Sequence, residues 1–466
     1  MSHSDIQAYV GATVIDATGA PPRPDQTVVV VGRMITAVGP AIEVPLPTGA
    51  RVHDVRGRHL IPGLADMHVH SESGTDDPRH FAHLYIAHGV TTIREMWGRP
   101  ELHETRRMVE SGDLLGPRMT IASAILDGPA GLWSDVPDTP TRSVTTPEQA
   151  RRAVREEIEA GADALKVYSR LPAEAYRAVL AEAHRLDIPV TGHRSDTLPL
   201  IEQIGSGQRS FEHLHGLWPA MSRDVERLEA AMARIETSPD FHYGSWLQQI
   251  TRIEWDALSS YDRVAAGSVF DQLVAADVAC TPTLVLHAAI DRPESIRLDD
   301  ERMEHLAPET PDSWDFLRTH IYCGGGRSAR ESAQREVLLE QRRATVGAMD
   351  EAGVRILAGT DSVSPGLFPG ASLHSELEQL VAAGLTPMRA LQSATVEPAR
   401  FLGREHWVGT VETGRVADLV ILDADPLEDI SNIRAIHAVV ADGRHIGPRE
   451  RATLLATAAQ IAAATR

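Results

Sequence analysis

Short apolar runs alternate with longer helix-like stretches through the middle of this chain, and that rhythm predicts most of its architecture. Between residues 62 and 401 the runs fall at 64–68, 90–96, 118–124, 163–168, 188–193, 209–213, 278–285 and 354–360. Each is a short apolar run of the kind expected of a strand buried on both faces. Stretches such as 147–160 and 172–186 precede several of them and read as helices. Strand units joined by helical crossovers in this number predict an α/β fold, a (β/α)8 TIM barrel rather than an open sheet. The C-terminal ends of all its strands then face one mouth.

The two ends of the chain have a different texture. Residues 27–31, the pair Gly32-Arg33 and residues 34–38 form a hairpin signal, and 52–55 read as a further strand. Strand-like runs return at 417–423 and 438–444, followed by an Ala-rich helix over 449–466. The expected organisation is therefore a composite β-sandwich domain built from 1–61 and 402–466 around a barrel spanning 62–401. Two insertions, about 214–277 and 287–340, follow the sixth and seventh strands and would overhang the mouth. They hold Trp218, Trp246, Trp255, Trp314, Tyr243, Tyr261 and Tyr322 in a chain with only 5% aromatic residues. Most of these are expected to form the insertions' own core.

Charge and composition narrow the class. A net charge of −20 argues against a nucleic-acid or anionic-membrane partner. No apolar stretch approaches the roughly 20 residues of a membrane span, and Met1-Ser2-His3-Ser4-Asp5 lacks the basic start of an export leader. Cys280 and Cys323 make neither a disulfide framework nor a metal-type cluster. A soluble cytoplasmic protein acting on a small molecule is expected, and the insertions and composite module make it a homo-oligomer in expectation.

Of the 45 basic residues, 44 are arginine, and the single lysine is Lys166 at the end of the fourth strand-like run. Lysine can lose its proton when buried and then react, whereas guanidinium stays charged. Other chemistry-bearing residues sit at the same kind of place. His68-Val69-His70 ends the first run, His193 the fifth, His213 the sixth and Asp361 the eighth. Alternate strand residues point the same way, so both imidazoles of the first pair can meet one ion. With 21 histidines, about one His-x-His arises by chance, and His213-Leu214-His215 is a second. The information lies in the order: six metal-competent groups at the same end of five strands.

Ile61-Pro62-Gly63-Leu64-Ala65-Asp66-Met67-His68-Val69-His70, Gly89-Val90-Thr91-Thr92, Gly116-Pro117-Arg118, Ala162-Asp163-Ala164-Leu165-Lys166, Ala358-Gly359-Thr360-Asp361 and Gly414-Arg415-Val416-Ala417-Asp418-Leu419 carry a resemblance over the whole chain. The sequence resembles the amidohydrolase superfamily, in its two-metal branch with a carboxylated lysine, near the imidazolonepropionase-like and Xaa-Pro dipeptidase group. The resemblance implies two divalent ions, zinc in expectation. His68 and His70 with Asp361 would hold the buried ion, and His193 and His213 the more exposed one. Lys166, as a carbamate formed with carbon dioxide, would bridge them. A shared hydroxide would attack the carbonyl, with Asp361 moving the proton to the leaving group. The lysine chemistry is physically coherent, because burial lowers an amine's pKa and carboxylation makes a bidentate anion.

Substrate contacts are less defined. Tyr168, Arg170, Arg194 and Tyr243 are candidates for anchoring a substrate carboxylate, and His215 and His287 for reaching the mouth. His374 is a candidate second shell to the metals or a helix-start residue. Dipeptidases of this group typically have a Gly-Gly-His-type loop after the third strand, whereas this chain has Ile125-Leu126-Asp127-Gly128-Pro129-Ala130-Gly131-Leu132-Trp133. The leading expectation is hydrolysis of a non-cyclic amide in a small N-acyl amino acid or dipeptide. Lactone, ester or xenobiotic amide hydrolysis by the same site is the alternative. An imidazolonepropionase-type cyclic amidase has no need of Lys166, and a silent scaffold would not keep all six groups.

Overall fold

The structure, a computed structural model, describes residues 6–71, 77–137, 139–238 and 241–465. Residues 1–5, read above for a leader, lie outside them. In the central region, parallel strands Leu64–Val69, Val90–Glu95, Arg118–Asp127, Ala164–Val167 and Val190–Gly192 pair in sequence order. Ser210–Glu212 and Ala279–Thr281 form a second parallel pair. One backbone bond, from Arg209 N to Val190 O at 2.7 Å, ties the two sets together. This is the curled, TIM-barrel-like arrangement expected, with helices such as Pro147–Glu159 and Ala173–Arg185 packed outside. The first of these starts at a capping box, in which the Thr146 hydroxyl and Gln149 satisfy each other's backbone N–H.

The eighth position departs from the expectation. Among the described residues, 354–360 form no regular strand and are held by scattered bonds, Leu357 N to Cys280 O at 2.9 Å and Met67 N to Ala358 O at 2.9 Å. Asp66 shares the Thr360 backbone N–H, at 3.1 Å, with the His68 carbonyl, at 3.2 Å, and takes the Thr360 hydroxyl at 2.8 Å, so side chain and main chain both hold this segment to the first strand. These bonds still close the ring between the seventh and first strands. Inside it, Ala65, Met67, Ala279 and Leu357 pack as an apolar layer below the mouth.

The chain ends combine into a single eight-stranded sheet. His59–Pro62 pairs antiparallel with Leu419–Leu422, which joins N-terminal strands Ile6–Val14, Arg23–Val31 and Met34–Pro40 to C-terminal strands Ile436–Ala441 and Arg444–Ile446. The expected two-layered sandwich takes the form of one sheet rolled on itself. Met34, at one edge, bridges Val416, and Tyr9, Val28, Ile35, Leu419 and Val440 share one enclosed core. The first insertion folds as Val225–Ala233, His242–Ser259 and Arg263–Ala275, and Trp246, Trp314 and Tyr322 are buried as expected of insertion core. No helix among the described residues is long and apolar enough to cross a membrane.

Candidate functional site

The six metal-competent residues come from the ends of four strands and from the irregular eighth segment, and they meet at the mouth. His68, His213 and Asp361 offer ligand atoms all within 4.8 Å of one another. Oδ1 of Asp361 lies 2.9 Å from Nε2 of His70, 3.2 Å from Nε2 of His68 and 3.8 Å from Nε2 of His213. The His193 ring sits 5.0 Å from the His213 ring, centre to centre, and stacks on Tyr168 at 3.8 Å. Nζ of Lys166 lies 5.5 Å from the centre of the Tyr168 ring. All but His70 are buried.

Three of the imidazoles are oriented in the same way. Nδ1 of His68 meets Oε2 of Glu212 at 2.8 Å, Nδ1 of His193 meets the Ser169 hydroxyl at 3.0 Å, and Nδ1 of His213 meets the Thr283 hydroxyl at 2.8 Å. The Glu212 carboxylate only accepts, so His68 carries its proton on Nδ1 and leaves Nε2 as the free lone pair; the Ser169 and Thr283 hydroxyls can accept from His193 and His213 in the same way, the arrangement found around metal-binding histidines. Nε2 of His68 and Nε2 of His193 are buried and make no hydrogen bond among the described residues. Each would be satisfied by a divalent cation, so the donor set fits metal.

The backbone is shaped to the same end. His213 and Asp361 have left-handed φ of 65° and 62°, and Thr283 has 45°. Each costs on the order of 1–3 kcal/mol and persists only where the surroundings enforce it. Gly192, at φ +124°, lets the chain before His193 pass so near Val167 that a Cβ would lie 2.1 Å from its carbonyl oxygen.

Burial dominates the electrostatics. It pushes the His193 and His213 imidazoles well below the usual range and brings His70 to about 4, so all three are neutral and able to donate a lone pair. It lowers the Lys166 amine to about 8, with Asp361 and Glu212 opposing. For Asp361 burial works upward, but His213, His68 and His70 together hold the carboxyl well below its ordinary value.

The proposed substrate contacts divide. Arg194 is committed inward, to the Gly216 carbonyl at 2.5 Å, the Leu198 carbonyl at 2.8 Å and Glu229 at 2.5 Å. Arg170 pairs with Asp196 at 3.1 Å and the Ile235 carbonyl at 2.6 Å. Both forks are taken by internal partners, which corrects the expectation that they hold a substrate carboxylate. His287 is likewise turned to the backbone carbonyl of His213 and braces that loop. His374 donates to the His88 carbonyl at 2.9 Å and makes no bond to a proposed ligand. His215 does flank the site, 6.3 Å from His193 between ring centres, with both ring nitrogens buried and without a hydrogen bond among the described residues, Nδ1 lying 3.9 Å from Glu254. Tyr168 accepts a hydrogen bond from Trp133 Nε1 at 2.8 Å, and Tyr243 stacks on Trp133 at 4.8 Å.

Sequence reasoning missed Glu212 and Arg94. The Arg94 guanidinium lies 2.9 Å from both Glu212 oxygens and also reaches the Met67 carbonyl at 2.6 Å. A signal was present: Phe211-Glu212-His213 and Ile93-Arg94-Glu95 put charge inside runs otherwise suited to buried strands, and buried charges are paired. Trp97 and Trp133, both beside the site, were missed as well.

The amidohydrolase family model matches residues 59–446, so the chain belongs to the amidohydrolase family and is a hydrolase of that superfamily. The imidazolonepropionase of Pseudomonas entomophila is 24% identical over 417 residues, covering 87% of this chain and 90% of that protein. Among solved structures, a provisionally named prolidase from Bifidobacterium longum is 25% identical with TM-score 0.65, covering 98% of this chain and 99% of the other. A Xaa-Pro dipeptidase with bound methionine is 19% identical with TM-score 0.68, over 95% of this chain and 100% of the other.

Proposed function

We propose that this hydrolase is a dinuclear zinc enzyme that cleaves the amide bond of a small N-acyl amino acid or dipeptide. The observation carrying this reading is the convergence on Asp361 of His68, His70 and His213, with buried Lys166 and the unsatisfied Nε2 of His193 beside them. His68, His70 and Asp361 would hold one ion and His193 and His213 the other, with Lys166 joining them after carboxylation by carbon dioxide. When bound, such ions polarise a carbonyl and acidify a water toward neutral pH.

The chain's own residues account for the remaining chemistry. Asp361, held ionised by its histidine neighbours, is the base that takes a proton from the attacking water and returns it to the leaving nitrogen. The Lys166 amine, lowered to about 8 by burial, has far more of the neutral form that reacts with carbon dioxide than a free lysine. Glu212 keeps His68 in the lone-pair-forward tautomer, and Ser169 and Thr283 hold the His193 and His213 rings through Nδ1.

The test is a panel of N-acyl amino acids, dipeptides, lactones and aryl esters offered to the zinc-loaded protein. The reading predicts the highest kcat/KM on an N-acyl amino acid or dipeptide. A lactone or ester that outpaces every amide would replace it.

A further inference from the structure

Aromatic rings form a closed circuit above the barrel. From His70 the contacts run to His68 at 5.3 Å, His213 at 4.3 Å, His193 at 5.0 Å and Trp246 at 6.3 Å between ring centres. They continue to Tyr243 at 5.8 Å, Trp133 at 4.8 Å, Trp97 at 5.4 Å and back to His70 at 4.7 Å. Half of the circuit is the imidazole cluster. The other half is an arc of four large flat side chains drawn from the loops after the second and third strands and from the first insertion. Trp97, Trp133, Tyr243 and His70 each keep part of their surface exposed, so this side of the circuit faces solvent at the mouth.

Two of the four rings are fixed by hydrogen bonds. Trp246 Nε1 donates to Asp196 at 2.8 Å and Trp133 Nε1 to the Tyr168 hydroxyl at 2.8 Å. Trp97 Nε1 is buried and has no hydrogen-bond partner among the described residues. Leaving a buried donor unmade is costly, and native structures rarely do so without a ligand or water to receive it.

We propose that Trp97, Trp133 and Tyr243, backed by the buried Trp246, form the substrate pocket, that they select an aromatic ring next to the scissile amide, and that Trp97 Nε1 donates a hydrogen bond to a substrate oxygen. Flat faces on a fixed frame reward a planar π-system over a puckered aliphatic group of equal size. Tryptophan and tyrosine also spend little conformational entropy on holding it. The substrate class narrows to N-acyl amino acids or dipeptides with a benzoyl, phenylalanyl or similar group. This deepens the function proposed above and rests on the imidazole cluster being the catalytic floor.

The test titrates 3-phenylpropionate and 3-cyclohexylpropionate, which are not hydrolysed, against the zinc-loaded protein and follows tryptophan fluorescence or heat. The phenyl compound should bind about tenfold more tightly. Equal affinities in the unsubstituted protein overturn the proposal without need of any variant. Trp133→Leu and Tyr243→Leu should each erode the ratio, and an unchanged ratio in both also overturns it. Trp97→Phe keeps the ring and removes the donor; it should weaken both ligands about tenfold with the ratio intact, and unchanged affinities sink its role. A phenyl preference in a protein that hydrolyses no amide would refute the proposed function alone. Amide hydrolysis with equal binding would refute this inference alone.

Discussion

Oε2 of Glu212 stands 2.8 Å from Nδ1 of His68 and turns the other nitrogen of that ring toward Asp361, 3.2 Å away. The same carboxylate receives Arg94 from beneath, so one buried acid both balances a buried cation and aims a candidate ligand. Glu212→Gln should therefore lower zinc affinity about 10- to 100-fold, read by competition with a chelator. It should also cost about 3–5 kcal/mol of stability in denaturant titrations, because Arg94 loses its counter-charge. A variant that keeps wild-type zinc affinity would separate Glu212 from the site.

Lys166→Ala should abolish both metal retention and amide hydrolysis, with partial recovery of each when a short-chain carboxylate is supplied. Lys166→Arg should recover nothing, since guanidinium cannot become a carbamate. Full activity in either variant excludes lysine from the reaction.

Gly359 sits against the first strand, where an added Cβ would come within 2.6 Å of Thr281 and 2.9 Å of the His68 Cβ. Gly359→Ala is expected to lower stability by about 1–3 kcal/mol through overpacking and to reduce kcat/KM by displacing His68. Measuring melting temperature and kinetics together checks this, and an unperturbed enzyme would show that the contact is easily relieved.

The architecture was legible because the barrel strands are short apolar runs and their ends carry the reactive residues. The irregular eighth segment was not, since nothing in Leu357-Ala358-Gly359-Thr360 announces that scattered bonds to the first and seventh strands and to Asp66 will hold it in place of a regular ladder. Arginine was the main source of error at the site. A guanidinium near a candidate ligand reads as an anion clamp, yet Arg194 ends on the carbonyls of Leu198 and Gly216 and on Glu229, and the last two lie too far along the chain for a local pattern to reveal. His287 misled in the same way, by supporting the His213 loop rather than entering the mouth.

Away from the site, burial lowers His374 to about 3 and His88 to about 4, and the two are linked by a bond from His374 to the His88 carbonyl. Imidazoles kept neutral in the fold bind fewer protons than in the unfolded chain, where they titrate near 6.5. Their stabilisation is thus complete above about pH 6.5 and falls as pH drops toward 4, at about 1.4 kcal/mol per pH unit for each group. Denaturation curves from pH 7 to 4.5 should fall at least this steeply, since the buried imidazoles of the site add to it, and His374→Gln should remove one group's share. An unchanged slope would place the acid sensitivity elsewhere.

The most direct test of the account is elemental analysis of the purified protein, combined with carbon-13 detection of a carbamate after exposure to labelled carbon dioxide. The account predicts close to two zinc ions per chain and one carbamate, both lost in Lys166→Ala. A single tightly held ion with no carbamate would contradict it.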